Sequence, residues 1–176
     1  MNSSQIAKLL SDLYIEIENE SIVNENIINS IEKNIANINS LHPSIIFSCK
    51  YSVSQDNLKE ELSDLEDNLS SLRESIKMLG KPSEVFGKIS THKQAILSIQ
   101  QQLGGQSGDS VNGLYNRLNK VEANYNDFLF DSNSPNTINL AHSLIEFYNS
   151  QGLILDLILL IKSSLLVETE LPESGV

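Results

Sequence analysis

Seven aliphatic residues, Leu58, Leu62, Leu65, Leu69, Leu72, Ile76 and Leu79, follow one another at steps of 4, 3, 4, 3, 4 and 3. Only a helix keeps such a row on one side, because a 3.5-residue repeat matches the helical turn and no other regular backbone. The spacing predicts a three-heptad coiled-coil helix over 55–79. Ser52 or Ser54 stands where its N-cap belongs, and Gly80 and Pro82 where a left-handed C-cap and a helix stop belong.

The rest of the chain carries related patterns. Ile6, Leu10, Leu13 and Ile17, then Ile28, Ile31, Ile35 and Ile38, predict an N-terminal helix over 1–41. Glu20 and Asn24 interrupt that stripe, so 1–41 reads as one long helix with a polar gap near 20–24 or as two helices broken there. His42-Pro43 ends the helix, since the residue before a proline is pushed out of the α region, and 42–54 reads as a connecting loop. A helix over 83–103 follows, then a flexible linker over 104–113 opened by Gly104-Gly-Gln-Ser-Gly. Leu114, Leu118, Val121, Tyr125 and Phe128 predict a helix over 114–130. Ser134 as N-cap and Pro135 in the first turn open an apolar C-terminal helix over 135–167, and 168–176 reads as a disordered acidic tail. The expected fold class is all-α, an elongated helical bundle or coiled coil of about four to five helices.

Composition narrows the function. Lys plus Arg is 12 and Asp plus Glu is 23, a net charge of −11 without any basic cluster, which opposes nucleic-acid binding. The single Cys49 cannot close an internal disulfide and no secretory leader is visible, so a reducing, cytoplasmic setting is expected. The most lipid-like stretch, 153–161, contains Asp156 and is short of the ~20 residues of a bilayer span, so no membrane span is expected. His42, His92 and His142 lie in separate segments without a metal-ligand partner one turn away, and read as surface or helix-end residues. Cys49 reads as a small buried thiol, and the glycine-rich segment at 104 lacks the Lys-Ser/Thr ending of a phosphate loop. Glu60, Glu61, Asp64 and Asp67 lack the Glu-x-x-His partners of a bundle di-metal centre. No catalytic, cofactor-binding or metal-binding residue is therefore expected.

Association is what the patterns do suggest. With Leu58 at d and Leu62 at a, a parallel homodimer would set Glu61 against Glu66 of its copy, a repulsive contact. Residues 56–77 carry seven acids against Lys59, Arg73 and Lys77, so a homodimer through 58–79 is disfavoured. The seam is expected on a less acidic partner chain or folded back on its own. The final helix is apolar nearly all round, and docking between subunits is favoured over a central place in the chain's own core. The expected partner interface is Leu58, Leu62, Leu65, Leu69, Leu72, Ile76, Leu79, Leu144, Phe147, Ile154, Ile158 and Ile161. Gln151 shares that last stripe, either as a solvent-facing residue or as a register-setting polar core residue.

Two segments carry a likeness to a known family. Ile31-Glu-Lys-Asn-Ile-Ala-Asn-Ile-Asn-Ser-Leu-His-Pro43 ahead of the leucine helix, and Leu144-Ile-Glu-Phe-Tyr-Asn149 ahead of an apolar terminal helix, resemble the small shoulder-arm subunit family of dynactin (dynactin subunit 3). His42 stands where that family has a turn acid. The resemblance implies a non-catalytic subunit that winds with dynamitin and the large dynactin subunit, in the cytoskeleton-associated process of dynein-driven transport and spindle or nuclear positioning. From the residues alone, the expectation is a coiled-coil structural subunit of a hetero-oligomeric complex; the alternative is a small helical adaptor that binds a partner helix in a groove.

Overall fold

The computed structural model describes residues 3–50, 55–103 and 108–170. Among these, every regular element is a helix: α1 (Ser3–Lys50), α2 (Gln55–Lys77), α3 (Pro82–Leu103), α4 (Gly108–Phe130) and α5 (Ser134–Glu170). The all-α class follows from the periodicities, but several boundaries do not.

α1 does not end at residue 41. It runs through His42 and Pro43 to Lys50, 48 residues or about 72 Å at 1.5 Å per residue. Proline within a helix removes one hydrogen bond and crowds the preceding turn, at a cost of about 3 kcal/mol. Here Pro43 and Asn39, whose carbonyl loses its donor, are both exposed, so the freed carbonyl is open to solvent. α1 is continuous across 20–24, the single-helix alternative, and Glu20 and Asn24 find buried polar partners there. Residues 42–50 of the expected connector are thus helical, while 51–54, with both proposed caps of α2, lie outside the described residues.

α2 closes with a turn at Met78 and Leu79, then Gly80 at φ +132°, a backbone that side chains with a Cβ rarely adopt. Pro82 is not only a stop but the first residue of α3, where its missing N–H costs nothing. Glu84, two residues on, accepts a long hydrogen bond from the Lys81 amide (3.4 Å). Residues 108–113 of the expected linker form the first turns of α4. The cap of α5 is Asn133 rather than Ser134: its Oδ1 accepts from the Asn136 amide at 3.3 Å, and Asp131 Oδ1 in turn accepts from the Asn133 amide at 3.1 Å. α5 extends through Glu170, three residues into the expected tail; 171–176 lie outside the described residues.

Cross-helix bonds give the directions. Ser30–Ser75 (3.1 Å) and Asn37–Asn68 (3.2 Å) step seven residues up α1 and seven down α2, so the two are antiparallel. α3 follows α2 back along the first half of α1, joined by Glu20–His92. Lys93–Glu122 and Gln100–Asn112 set α4 against α3, and Arg117–Glu146 and Asn124–Asn139 set α5 against α4. α1 and α4 therefore point one way, and α2, α3 and α5 the other.

One apolar core joins all five helices: Leu10, Ile17 and Ile31 from α1, Leu72 and Ile76 from α2, Ile96 and Ile99 from α3, Leu114 and Leu118 from α4, and Leu140, Ile154 and Ile158 from α5. Each such side chain stabilises the fold by about 1.5–3 kcal/mol relative to exposure. α5 is the central element, packing on α1, α2, α3 and α4. Residues 134–163 are long and apolar enough, by length and composition, to cross a bilayer, a longer stretch than 153–161 suggested. In this fold Leu140, Ala141, Leu144, Ile154 and Ile158 on that helix are buried against its neighbours.

Candidate functional site: an unfinished helical arm and a buried polar cluster

The leucine seam folds back on its own chain, against α1. Its two halves then differ. Leu72, Ile76 and Leu79 are buried beside Ile28, Ile31, Ile35 and Ile38 of α1, with α5 closing the other side. Leu58, Leu65 and Leu69 are only half-buried, and Leu62 is 45% exposed. Ile38 is the last buried side chain of α1 and Leu72 the first of α2, among the described residues. Beyond that level the two helices form an antiparallel arm, with Leu62 opposite Pro43 by the register of the serine and asparagine pairs.

The arm is acidic. Residues 55–69 hold Asp56, Glu60, Glu61, Asp64, Glu66 and Asp67 against Lys59 alone. Of the four carboxylates weighed as a metal site, Glu60, Asp64 and Asp67 are exposed, and no group of three or more metal-ligating side chains occurs among the described residues. A shallow gap lined by Asn37, Ser40, Leu41, Asp64, Asp67 and Asn68 marks the base of the arm.

The remaining predicted interface residues have a different place. Leu144, Phe147, Ile154, Ile158 and Ile161 are buried in the chain's own core, as are Leu72, Ile76 and Leu79, so none of these eight presents a face to a partner in this fold. α5 occupies the central position and not the expected place between subunits, because α1, α2, α3 and α4 together cover more of its circumference than their separate stripes suggest. Leu159 (45%) and Leu160 (59%) remain exposed. Gln151, 2% exposed, is a core residue and not a solvent-facing one.

One cluster was not foreseen. His92, read as a surface or helix-end residue, is 5% exposed, and its Nε2 lies 2.8 Å from Glu20 Oε2. An ionised carboxylate only accepts, so Nε2–H is the donor. Asn24 Nδ2 donates to the Tyr148 hydroxyl at 3.0 Å, and that hydroxyl also hydrogen-bonds to Glu20. Burial, and then the negative charge of Glu20, hold the Tyr148 phenol well above the usual tyrosine range. The His92 ring meets Phe147 edge to face at 5.6 Å, while its Nδ1 is buried without a hydrogen-bond partner. Beside it lies a cavity of about 30 Å³, room for a water. The signal was present in the sequence: Glu20 and Asn24 sit at stripe positions between Ile17 and Ile28, where a polar residue is either a break or a buried partner. His42 and His142 are exposed as expected, and the Cys49 side chain lies outside the described residues.

Two partly exposed ion pairs tie neighbouring helices, Lys93–Glu122 at 3.0 Å and Arg117–Glu146 at 3.3 Å, and Lys93 also lies 5.8 Å from the Tyr115 ring centre. No family model, curated protein or solved structure matches the chain.

Proposed function

We propose that the chain is a non-catalytic helical subunit of a hetero-oligomeric assembly, and that the α1–α2 arm is where a partner helix completes a coiled-coil-like bundle. The observation that carries this reading is the half-covered seam. Leu58, Leu62, Leu65 and Leu69 continue the heptad row of Leu72, Ile76 and Leu79, yet they stay half-buried or exposed against α1 among the described residues. A third helix laid along the arm would bury them, and the acids of 55–69 favour one richer in Lys and Arg.

The shoulder of dynactin, with dynamitin and the large subunit as partners in the cytoplasm, is the specific assembly that the resemblance offers. Its support is now narrower. α1 passes through His42-Pro43 without the turn that the likeness needs there, which leaves the Leu144–Asn149 segment as its main ground.

The test is affinity purification of the full chain from its native cell, with partners identified, alongside the double variant Leu62→Asp/Leu65→Asp. The variant should keep its helix content and lose partner recovery at least about tenfold, a change of roughly 1.4 kcal/mol. Undiminished recovery would remove the arm from the argument.

A further inference from the structure

The first half of α1 stands beside α3, α4 and α5 as a set of four helices, and three of its four sides are closed: α1 on α5, α5 on α4, α4 on α3. On the fourth side α1 and α3 scarcely touch. Glu20–His92 clasps them at one point, and from there a groove of about 560 Å³ opens toward the start of α1. Leu13 and Ala95, 8% and 2% exposed, form its floor, and Leu97 stands 44% exposed at its edge. Asp12 and Glu16 line the α1 wall one turn apart, whereas every groove-lining residue of α3 is uncharged. Neither acid has an ion-pair or hydrogen-bond partner among the described residues. From Thr91 to Gln101 the groove follows α3 for about 15 Å, the length of roughly ten helical residues.

We infer that this groove receives an amphipathic helix of another protein, one with aliphatic side chains over Leu13 and Ala95 and two Lys or Arg residues, one turn apart, facing Asp12 and Glu16. A helix is the occupant because the vacant side is bounded by two antiparallel helices over an apolar floor, the setting in which helices seat by their ridges. The cations follow from the acids. A second copy of a chain with net charge −11 is the wrong occupant for an acidic wall. The site lies beyond the Glu20–His92 clasp from the arm, so it stands whether or not the arm binds a partner.

The probe is a fluorescently labelled helical peptide of about 18 residues, Leu and Ala on one face with Lys at i and i+4 along its edge, against a control with Glu for each Lys. Binding to the full chain is followed by anisotropy at low and high salt. The Lys peptide should bind, weaken as salt rises, and lose affinity at least about tenfold with Asp12→Lys/Glu16→Lys, while Leu62→Asp/Leu65→Asp leaves it unchanged. Ser98→Arg, which adds a cation to the facing wall, should weaken it too and serves if the first variant unfolds. Equal binding of the Glu peptide, indifference to both groove variants, or loss with the arm variant instead would overturn the proposal.

Discussion

Replacing Glu20 by Leu removes the acceptor of two buried donors, His92 Nε2 and the Tyr148 hydroxyl. Glu20 is 10% exposed and His92 5%, so the contact is largely shielded from bulk water. Each orphaned buried donor costs about 1–3 kcal/mol, so losing the acceptor that two of them share should make Glu20→Leu destabilising by about 2–6 kcal/mol. For a domain of this size that corresponds to a fall in Tm on the order of 10 °C. His92→Leu removes one of the two donors to the carboxylate, which keeps the Tyr148 hydroxyl, and should cost about 1–3 kcal/mol. The double variant removes both ends of the Glu20–His92 contact and leaves the Tyr148 hydroxyl as the orphaned donor, so it should cost no more than Glu20→Leu alone, giving a coupling of at least ~1 kcal/mol. Urea unfolding followed by far-UV circular dichroism on all four proteins measures the cycle. A single-variant loss below ~1 kcal/mol, or strictly additive losses, would show that the clasp between α1 and α3 is not the buried interaction described.

Three further outcomes follow from the same geometry. Leu72→Ala, at a fully buried position, should cost about 2–5 kcal/mol in denaturant unfolding, while Leu62→Ala on the exposed arm should cost under ~1 kcal/mol; equal losses would refute the division of the seam. Gly80→Ala should lower stability by about 1–2 kcal/mol, because φ is +132° there and the added Cβ would lie 2.8 Å from Glu84 Oε2, a contact the flexible carboxylate can ease; an unchanged Tm would refute it. The folded Tyr148 phenol titrates above its unfolded value, so above pH ~10 the unfolded chain holds fewer protons and stability should fall as pH rises, with no effect below that range. Tyr148→Phe should flatten this alkaline limb in pH-dependent unfolding, and an unaltered slope would contradict the shift.

The apolar rows are legible in the sequence as helix faces, but what covers them is not, since Leu58–Leu69 continues the row of Leu72–Leu79 and yet stays half-covered. The rows at Leu72–Leu79, Leu114–Phe128 and Leu140–Ile161 are the core faces of α2, α4 and α5. Failures clustered where a local rule met a longer-range effect. His42-Pro43 is a stop signal by backbone sterics, but a helix of 48 residues held along α2 and α5 carries one exposed proline within it. Gly108 and Gly113 speak for a linker, yet Leu114 and Leu118 pack firmly enough to extend α4 back over them. The central place of α5 was hidden because a stripe's width says nothing of how many neighbours will share one helix. His92 was misread for a related reason: its acceptor lies 72 residues away, and no spacing rule along one helix reports such a pair.

The position of α5 also sets an order of events during synthesis. Leu10, Ile17 and Ile31 leave the ribosome early, and helices α1 to α4 are complete before the first residue of α5 appears. Until then the faces that α5 covers on all four helices stay open to water and to other chains. Up to Phe130 the nascent segment therefore carries apolar faces that only the helix made after it can cover, a window in which association with other chains competes with folding.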